Sequence, residues 1–252
     1  MKFENTEVFN FEGAFRGLRN PKNSWNRSDS KFSDYYDLSR GDVSEKELKK
    51  VFQLAYIHHR TPDGYFVDII GENDMKLAQT LIKAGNEHRK FMRQIFVSVD
   101  ITAPLYLWKE FDTYKVGTVA NSTSTMHKIT SQPITLDCFE IKDYDNSLVT
   151  TLEDGNCKFT FSSSDEPLAI IDWLESLRQK YIKTKDKRYW KELIRWLPES
   201  WLQKRTITMN YENVRNIYFQ RRNHKLTEWS ESFIKWVESL PYAKELIMYD
   251  GK

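Results

Sequence analysis

Residues 95–127 read IFVSVDITAPLYLWKEFDTYKVGTVANSTSTMH. Val97 and Val99 alternate with Ser98 and Asp100, the period-two pattern of a strand with one apolar face, and Phe96 belongs to the opposite face. Pro104 is tolerated in the first turn of a helix, so a helix is expected through LYLWKEFDTYK. The loop behind it, KVGTVANSTSTMH (115–127), is rich in hydroxyls. Ser, Thr and Asn side chains with free backbone N–H groups can cradle a phosphate or a flavin pyrophosphate. The same residues also populate ordinary surface turns.

On the N-terminal side, residues 1–40 are polar and aromatic, and NPKNSWNRSDSKFSDYY (20–36) reads as irregular chain. Ser44 with Glu47 forms a capping box ahead of Leu48, Val51, Phe52 and Ala55, which predicts a helix. TPDGYFVDII (61–70) predicts a turn and a strand. Asn73 or Asp74 can cap a helix carrying Leu77, Ala78, Leu81 and Ile82, with Gly85 as its stop. On the C-terminal side, ITLDCFEI (134–141) and CKFTFSS (157–163) read as strands joined by a polar loop. Four helical stretches follow: LAIIDWLESLRQKYI behind Ser164 and Pro167, then YWKELIRWLP, NYENVRNIYFQRR and TEWSESFIKWVESL. Strands in the middle and helices at both ends imply an α+β class. The expected architecture is a central antiparallel or mixed sheet with helices around it, as a single domain over 1–252.

Composition narrows function only by exclusion. With 38 Lys+Arg against 36 Asp+Glu the net charge is +2, so the chain offers little field for coating nucleic acid. Cys138 and Cys157 are too few for a disulfide framework or a four-thiolate zinc site. No apolar run approaches about 18 residues, and MKFENTEVFNFEG carries acidic residues where a signal peptide has its apolar core; a cytoplasmic protein with no membrane partner is expected. Dinucleotide, Walker, GxSxG and HExxH patterns are absent. His58, His59, His88, His127 and His224 lack metal-ligand spacing, so no metal is expected. Arg215, Arg221, Arg222, His224 and Lys225 interleave with Tyr218 and Phe219: a solvated helix face, or a phosphate site built on guanidinium forks. Asn210 and Arg221 are eleven residues apart, about three turns, and share a face that Asn216 does not.

In this order the elements resemble the flavin-dependent thymidylate synthase (ThyX) family over roughly residues 73–247. A strand runs into Ala103-Pro104 and a helix whose end aligns with the family's Arg-His-Arg-x-x-Ser motif, here Thr113-Tyr114-Lys115-Val116-Gly117-Thr118. The family's Asn-Glu-x-Ser-x-Arg-Tyr continues as Asn121-Ser122-Thr123-Ser124-Thr125-Met126-His127. Its Glu-x-x-Arg before Leu-Pro matches Glu192, Arg195, Leu197 and Pro198, and the spacings onward to Asn210, Asn216 and Arg221 are the family's.

The resemblance implies reductive methylation of dUMP to dTMP with FAD, methylenetetrahydrofolate and NADPH, in a homotetramer whose sites lie at subunit junctions. No protein nucleophile is needed, since the cofactor carries the chemistry. Carried over, Arg195 and Arg221 hold the nucleotide with Ser124 donating a further bond, Arg221 and Ser124 being the catalytic pair and Glu110 a further substrate contact. Lys115, Thr118, Asn121 and Asn216 face the flavin, with His88 a displaced candidate for the family's His before the strand. Thr113, Tyr114, Ser122 and Met126 stand where the family has Arg, His, Glu and Arg. Two other functions stay open: a nucleotide-binding or regulatory homologue without FAD, and a nucleic-acid or protein interaction module using Arg215–Lys225, the latter disfavoured by the net charge.

Overall fold

Alternation along 96–104 folds as expected, with Val97, Val99, Ile101 and Ala103 wholly buried and Phe96, Ser98, Asp100 and Thr102 half-buried. The structure is a computed structural model that describes residues 1–37, 55–141, 143, 145, 147, 149–155, 157–162 and 165–251. In chain order the elements are β1 (Lys2–Phe9), α1 (Phe11–Arg19), β2 (Lys31–Asp37), β3 (Ala55–Thr61), β4 (Gly64–Ile69), α2 (Glu72–Ala84), β5 (Phe96–Pro104), α3 (Leu105–Phe111), β6 (Val119–Ser122), α4 (Thr125–Lys128), β7 (Val149–Asp154), β8 (Cys157–Ser162), α5 (Asp165–Thr184), α6 (Lys187–Arg195), β9 (Leu202–Asn210), α7 (Tyr211–Arg221) and α8 (Ile234–Glu238). Two π-helical turns, Glu228–Phe233 and Ala243–Ile247, flank α8. The strands form sheets in the orders β1-β5-β9-β6, β2-β4-β3 and β7-β8, and the class is α+β. The chain divides into two compact units interleaved in sequence: 1–100, 114–120 and 206–252, and 101–113 with 121–205.

In the first unit, α1 carries Phe11, Ala14, Phe15 and Leu18 at helical spacing, all buried. Phe11 meets Tyr56, Tyr211 and Tyr242 edge-on at 5.9, 5.8 and 5.4 Å, so one ring ties β3, α7 and the C-terminal segment to the N-terminus. β2, β4 and β3 pair antiparallel, with a bulge between Ile57 and His59. Helix α2 starts after Gly71, and its first turn is capped from a distance: the Asp29 carboxylate accepts from the N–H groups of Asn73 (2.9 Å) and Asp74 (3.1 Å). Asp74 points inward instead, wholly buried, and accepts from Arg19 Nε (2.5 Å), Ser28 Oγ (2.6 Å) and Ser30 Oγ (2.5 Å). Burial pushes the Asp74 carboxyl up, but bonds from the two serines and Arg19 outweigh it and hold the group below the usual range.

In the second unit, Ile129, Ile134, Phe139, Ile171, Leu174, Leu177 and Leu193 form the core, with Trp190 and Trp201 packed against it. Glu175 staples the chain before Phe139 to α5: it accepts from Ile134 N–H (2.8 Å) and from Arg178, whose Nη1 donates to the Thr130 carbonyl (3.1 Å). The Arg178 hydrogen bonds are the largest cause of a Glu175 pKa lowered to about 2.

Several expectations are corrected. Residues 1–37 are not irregular but supply β1, α1 and β2; Gly13 and Gly17, poor helix formers, obscure the α1 stripe. Neither Asn73 nor Asp74 caps α2, because the helix already starts at Glu72 behind Gly71 and both residues lie within its first turn. Residues 134–141 form no strand: a 3-10 turn at Leu136–Cys138 precedes a single bridge, Phe139 to Trp201, since Ile134 and Phe139 both turn into the core. The polar loop before Cys157 holds β7, joined to β8 through Asp154-Gly155 with Gly155 at φ 57°, the conformation a tight hairpin turn requires. β9 went unread, although Arg205-Thr206-Ile207-Thr208-Met209 alternates and buries Ile207 and Met209. His58 and His59 sit on β3. Helix α3 stops at Phe111, where the Thr113 hydroxyl and N–H both return to the Glu110 carbonyl (2.7 and 3.2 Å). Residues 44–54 of the helix expected from Ser44 lie outside the described residues, and Ala55, the last of its apolar stripe, opens strand β3 instead.

Replacing Asp74 by Asn leaves the Arg19 guanidinium buried beside a neutral group and is expected to cost about 3–5 kcal/mol in urea denaturation. The depressed folded pKa means that the wild-type stabilisation is full above the unfolded value, about 3.9, and is lost as pH falls through the folded value. Acid denaturation curves should therefore be less steep for Asp74→Asn below about pH 4.

Candidate functional site

Asn210 opens α7 as expected: its Oδ1 accepts from the Asn213 N–H at 3.0 Å. The Asn213 side chain then donates to the Val116 carbonyl (2.5 Å) and to Thr118 Oγ1 (2.9 Å), which holds segment 114–118 against the helix. Gly117 makes this approach possible. Its φ is 72°, and a Cβ there would lie 3.0 Å from Asn210 Nδ2 and 3.3 Å from Asn213 Oδ1. At the far end of α7, Arg221 Nε donates to the Tyr114 hydroxyl (2.8 Å), which donates to Gln220 Oε1 (3.0 Å). The Arg221 guanidinium carbon lies 5.0 Å from the centre of the Trp229 ring, itself wholly buried. One face of α7 thus meets the 114–118 segment from Asn210 to Arg221, as the spacing implies, and Asn216 lies exposed off that face.

The remaining cations of the basic stretch do not converge with Arg221. Arg215 is buried, and its Nη1 donates to the carbonyls of Ile247 (2.7 Å) and Tyr249 (2.5 Å) while its guanidinium covers Phe219 at 4.6 Å. Burial, then the neighbouring Arg89, lowers its pKa. It closes the C-terminal turn and is not a ligand-facing cation. Arg222 and Lys225 are exposed, and His224 Nδ1 accepts from the Leu226 N–H at 3.2 Å. His88 is exposed too; the group that meets α7 from that segment is Arg89, bidentate on the nearly buried Glu212 at 2.8 and 2.9 Å. Among the described residues no cluster of three or more His, Cys, Asp or Glu could hold a metal ion.

The first unit therefore lays the 114–118 segment, with Lys115 and Thr118, along α7, Thr118 at Asn213 near its start and Tyr114 at Arg221 at its end. The second unit holds Glu110, Asn121, Ser124 and Arg195. Ser124 caps the short α4, its Oγ accepting from the His127 N–H at 3.2 Å. Trp190 of α6 donates to the Met126 carbonyl (3.0 Å), which ties α4 to the helix that ends in Arg195. Arg195 is half-exposed and pairs with Glu192, the acidic member of the same Glu-x-x-Arg motif. Asn121 is exposed on β6, and Glu110 is half-buried on α3. Sequence reasoning passed over Asn213 and Trp229. An Asn three residues after a capping Asn was the available signal for the first; nothing local pointed to the second.

No family model and no curated relative matches the sequence. In structure the chain is similar to two crystal structures of the flavin-dependent thymidylate synthase ThyX from Helicobacter pylori, each with FAD and dUMP. One has a TM-score of 0.58 at 13% identity, covering 98% of both chains. The other has a TM-score of 0.59 at 12% identity, covering 100% of this chain and 99% of that one. The α+β fold is that of ThyX.

Gly117→Ala forces a side chain into a left-handed backbone conformation against the amides of Asn210 and Asn213, and is expected to cost about 1–3 kcal/mol. Amide hydrogen exchange at Thr118, whose N–H donates to the Lys115 carbonyl at 3.3 Å, should accelerate in this variant and in Asn213→Ala. Unchanged exchange in both would mean that Asn213 does not hold the loop.

Proposed function

We propose that this chain binds a pyrimidine deoxynucleotide of the dUMP kind together with FAD and reductively methylates the base to the thymidylate, with methylenetetrahydrofolate and NADPH as co-substrates. The observation that carries this reading is the ThyX fold over the whole length, joined to a held Arg221 at the position the family's phosphate arginine takes. Arg221 and Arg195 take the phosphate and the edge of the base, since guanidinium forks match both; Ser124 and Glu110 complete the substrate contacts.

The residues present fit a flavin in part. Lys115 and Asn216 are exposed, and their side chains make no hydrogen bond or ion pair among the described residues, so a cation and an amide are available to it. Asn121 adds an exposed amide, and the Thr118 hydroxyl can still donate while it accepts from Asn213. FAD, when bound, supplies the redox chemistry of the methylation, and the protein orients its substrate and excludes water. The reading takes the chain as a working domain of a cytoplasmic homotetramer whose copies share sites. No helix among the described residues is long and apolar enough to cross a membrane.

A second reading, a nucleotide-binding homologue without flavin chemistry, is favoured by one observation. Tyr114 and Thr118, at flavin-motif positions, are bonded to residues of α7.

The purified protein is expected to bind FAD with a perturbed band near roughly 450 nm, as a tuned flavin shows. It should oxidise NADPH when dUMP and the folate are added. A colourless protein that leaves FAD unchanged but is stabilised thermally by dUMP selects the second reading. Arg221→Met should weaken dUMP binding by roughly 10- to 100-fold in calorimetric titration, the loss of a charge-assisted hydrogen bond.

A further inference from the structure

The segment that follows α1 carries donors that the fold leaves unspent. Residues 20–29 read NPKNSWNRSD and form two 3-10 turns, Asn20–Lys22 and Trp25–Arg27. Bonds within the segment fix them: Ser24 N–H to the Arg19 carbonyl (3.3 Å), Ser28 N–H to the Trp25 carbonyl (3.0 Å) and Trp25 Nε1 to Asn20 Oδ1 (2.8 Å). A depression of about 1000 Å³ lies between this segment and the start of α2, and Arg19, Lys22, Asn23, Asn26, Arg27 and Asn73 are among the residues lining it. None of the residues named for the nucleotide or the flavin does so.

Lys22 and Arg27 are exposed, and neither makes a hydrogen bond or ion pair among the described residues. The side-chain amides of Asn23, Asn26 and Asn73 are likewise unbonded there. Exposed cations by themselves are ordinarily a solvated face. The difference here is the buried guanidinium beside them. Arg19 is 5% exposed; its Nε donates to Asp74 (2.5 Å) and its Nη1 to the Ser24 carbonyl (3.3 Å), while Nη2 makes no hydrogen bond. A side chain already ordered and desolvated by the fold loses little more when an anion arrives.

The nearby carboxylates leave this intact. Asp29 is the one acidic residue of the lining, and its oxygens accept from the Asn73 and Asp74 N–H groups. Asp74, behind Arg19, is engaged by Arg19, Ser28 and Ser30. Three cations against these two carboxylates leave a local balance of +1, and the unspent hydrogens belong to ammonium, guanidinium and amide groups. Such a set complements an anion rich in acceptor oxygens. Phosphate suits it best, since a guanidinium fork grips its oxygens in pairs and an ammonium meets it as a point charge. The depression exceeds one phosphate group in size, so it has room for a chain of them.

We propose that this depression binds a phosphate chain, either free polyphosphate or the di- or triphosphate of a nucleotide, with Lys22, Arg27 and Arg19 on its oxygens.

The test is calorimetric titration of the full chain with tripolyphosphate, with dTTP and with citrate, a polyanion without phosphorus. Tripolyphosphate is expected to bind, and citrate to bind more weakly by roughly tenfold, the size of one hydrogen bond to a charged group. Lys22→Gln and Arg27→Gln remove exposed cations that have no partner to lose, so the unliganded melting temperature should not move. Each should raise the tripolyphosphate dissociation constant by roughly tenfold. Arg19 is left in place, because its loss would strand the buried Asp74. Tighter binding of dTTP than of tripolyphosphate, with the same losses in both variants, supports the site with a nucleotide as its ligand; equal binding supports it with the phosphate chain alone. No binding of tripolyphosphate, equal binding of citrate, or affinity that survives both substitutions would overturn the proposal. So would tripolyphosphate binding that is lost in Arg221→Met and kept in Lys22→Gln and Arg27→Gln, which would assign the anion to the candidate site instead.

Discussion

One carboxamide organises the candidate site. Asn213 spends both side-chain hydrogens on the segment it faces, at the Val116 carbonyl and Thr118 Oγ1, while its backbone N–H is taken by Asn210. Helix N-termini ordinarily leave such N–H groups for an anion. Here the first turn of α7 serves its own loop, and Arg221 sits at the other end of the helix, where it meets the start of the same segment at Tyr114. Gly117 is the backbone condition for this arrangement, and Tyr114 follows from it, since the segment pinned at 116–118 begins with the residue that reaches Arg221.

Buried polarity explains why a helix so rich in cations presents so few of them. Arg215 is spent on carbonyls of the C-terminal turn, and Glu212 on Arg89. Unpaired charges at such depth would be prohibitive, so each buried member must have a partner whatever the ligand. The same accounting at Arg19, Asp74, Ser28 and Ser30 welds the N-terminal segment to α2. A basic cluster in the sequence therefore overstates the field that the surface offers. Arg221 is held in another way, its Nε bonded to the Tyr114 hydroxyl and its guanidinium set beside the Trp229 ring.

What the sequence made legible was what local chemistry decides. The alternation of Val97 and Val99, the Pro104 junction, the Asn210 cap and the Gly85 stop are written within a few residues of where they act. The α+β class followed from them. The losses have different physical causes. α1 buries Phe11, Ala14, Phe15 and Leu18 through a sequence that two glycines make a weak helix, so tertiary burial decides it. β9 alternates over only a few residues behind Lys204 and Arg205, and its place between β5 and β6 is a matter of long-range pairing. Ile134 and Phe139 look like strand positions because they are apolar, yet they serve as anchors of an irregular segment on α5 and α6. Site residues divide in the same way. Asn210 was recognisable as a cap, whereas the bond from Arg221 to Tyr114 spans 107 residues and no local pattern foretells it.

That bond changes how the departures from the family motif are weighed. Counted singly, Tyr114 for His is the loss of one contact to a ligand. Within the fold the phenol is bonded to Arg221 and Gln220. A substitution that removes a direct contact and one that relocates a support look identical in an alignment of motifs. They differ in whether the new side chain still meets the rest of the fold, as Tyr114 does at Arg221 and Gln220. Thr118 is similar, lending its oxygen to Asn213 while keeping a hydroxyl hydrogen to donate.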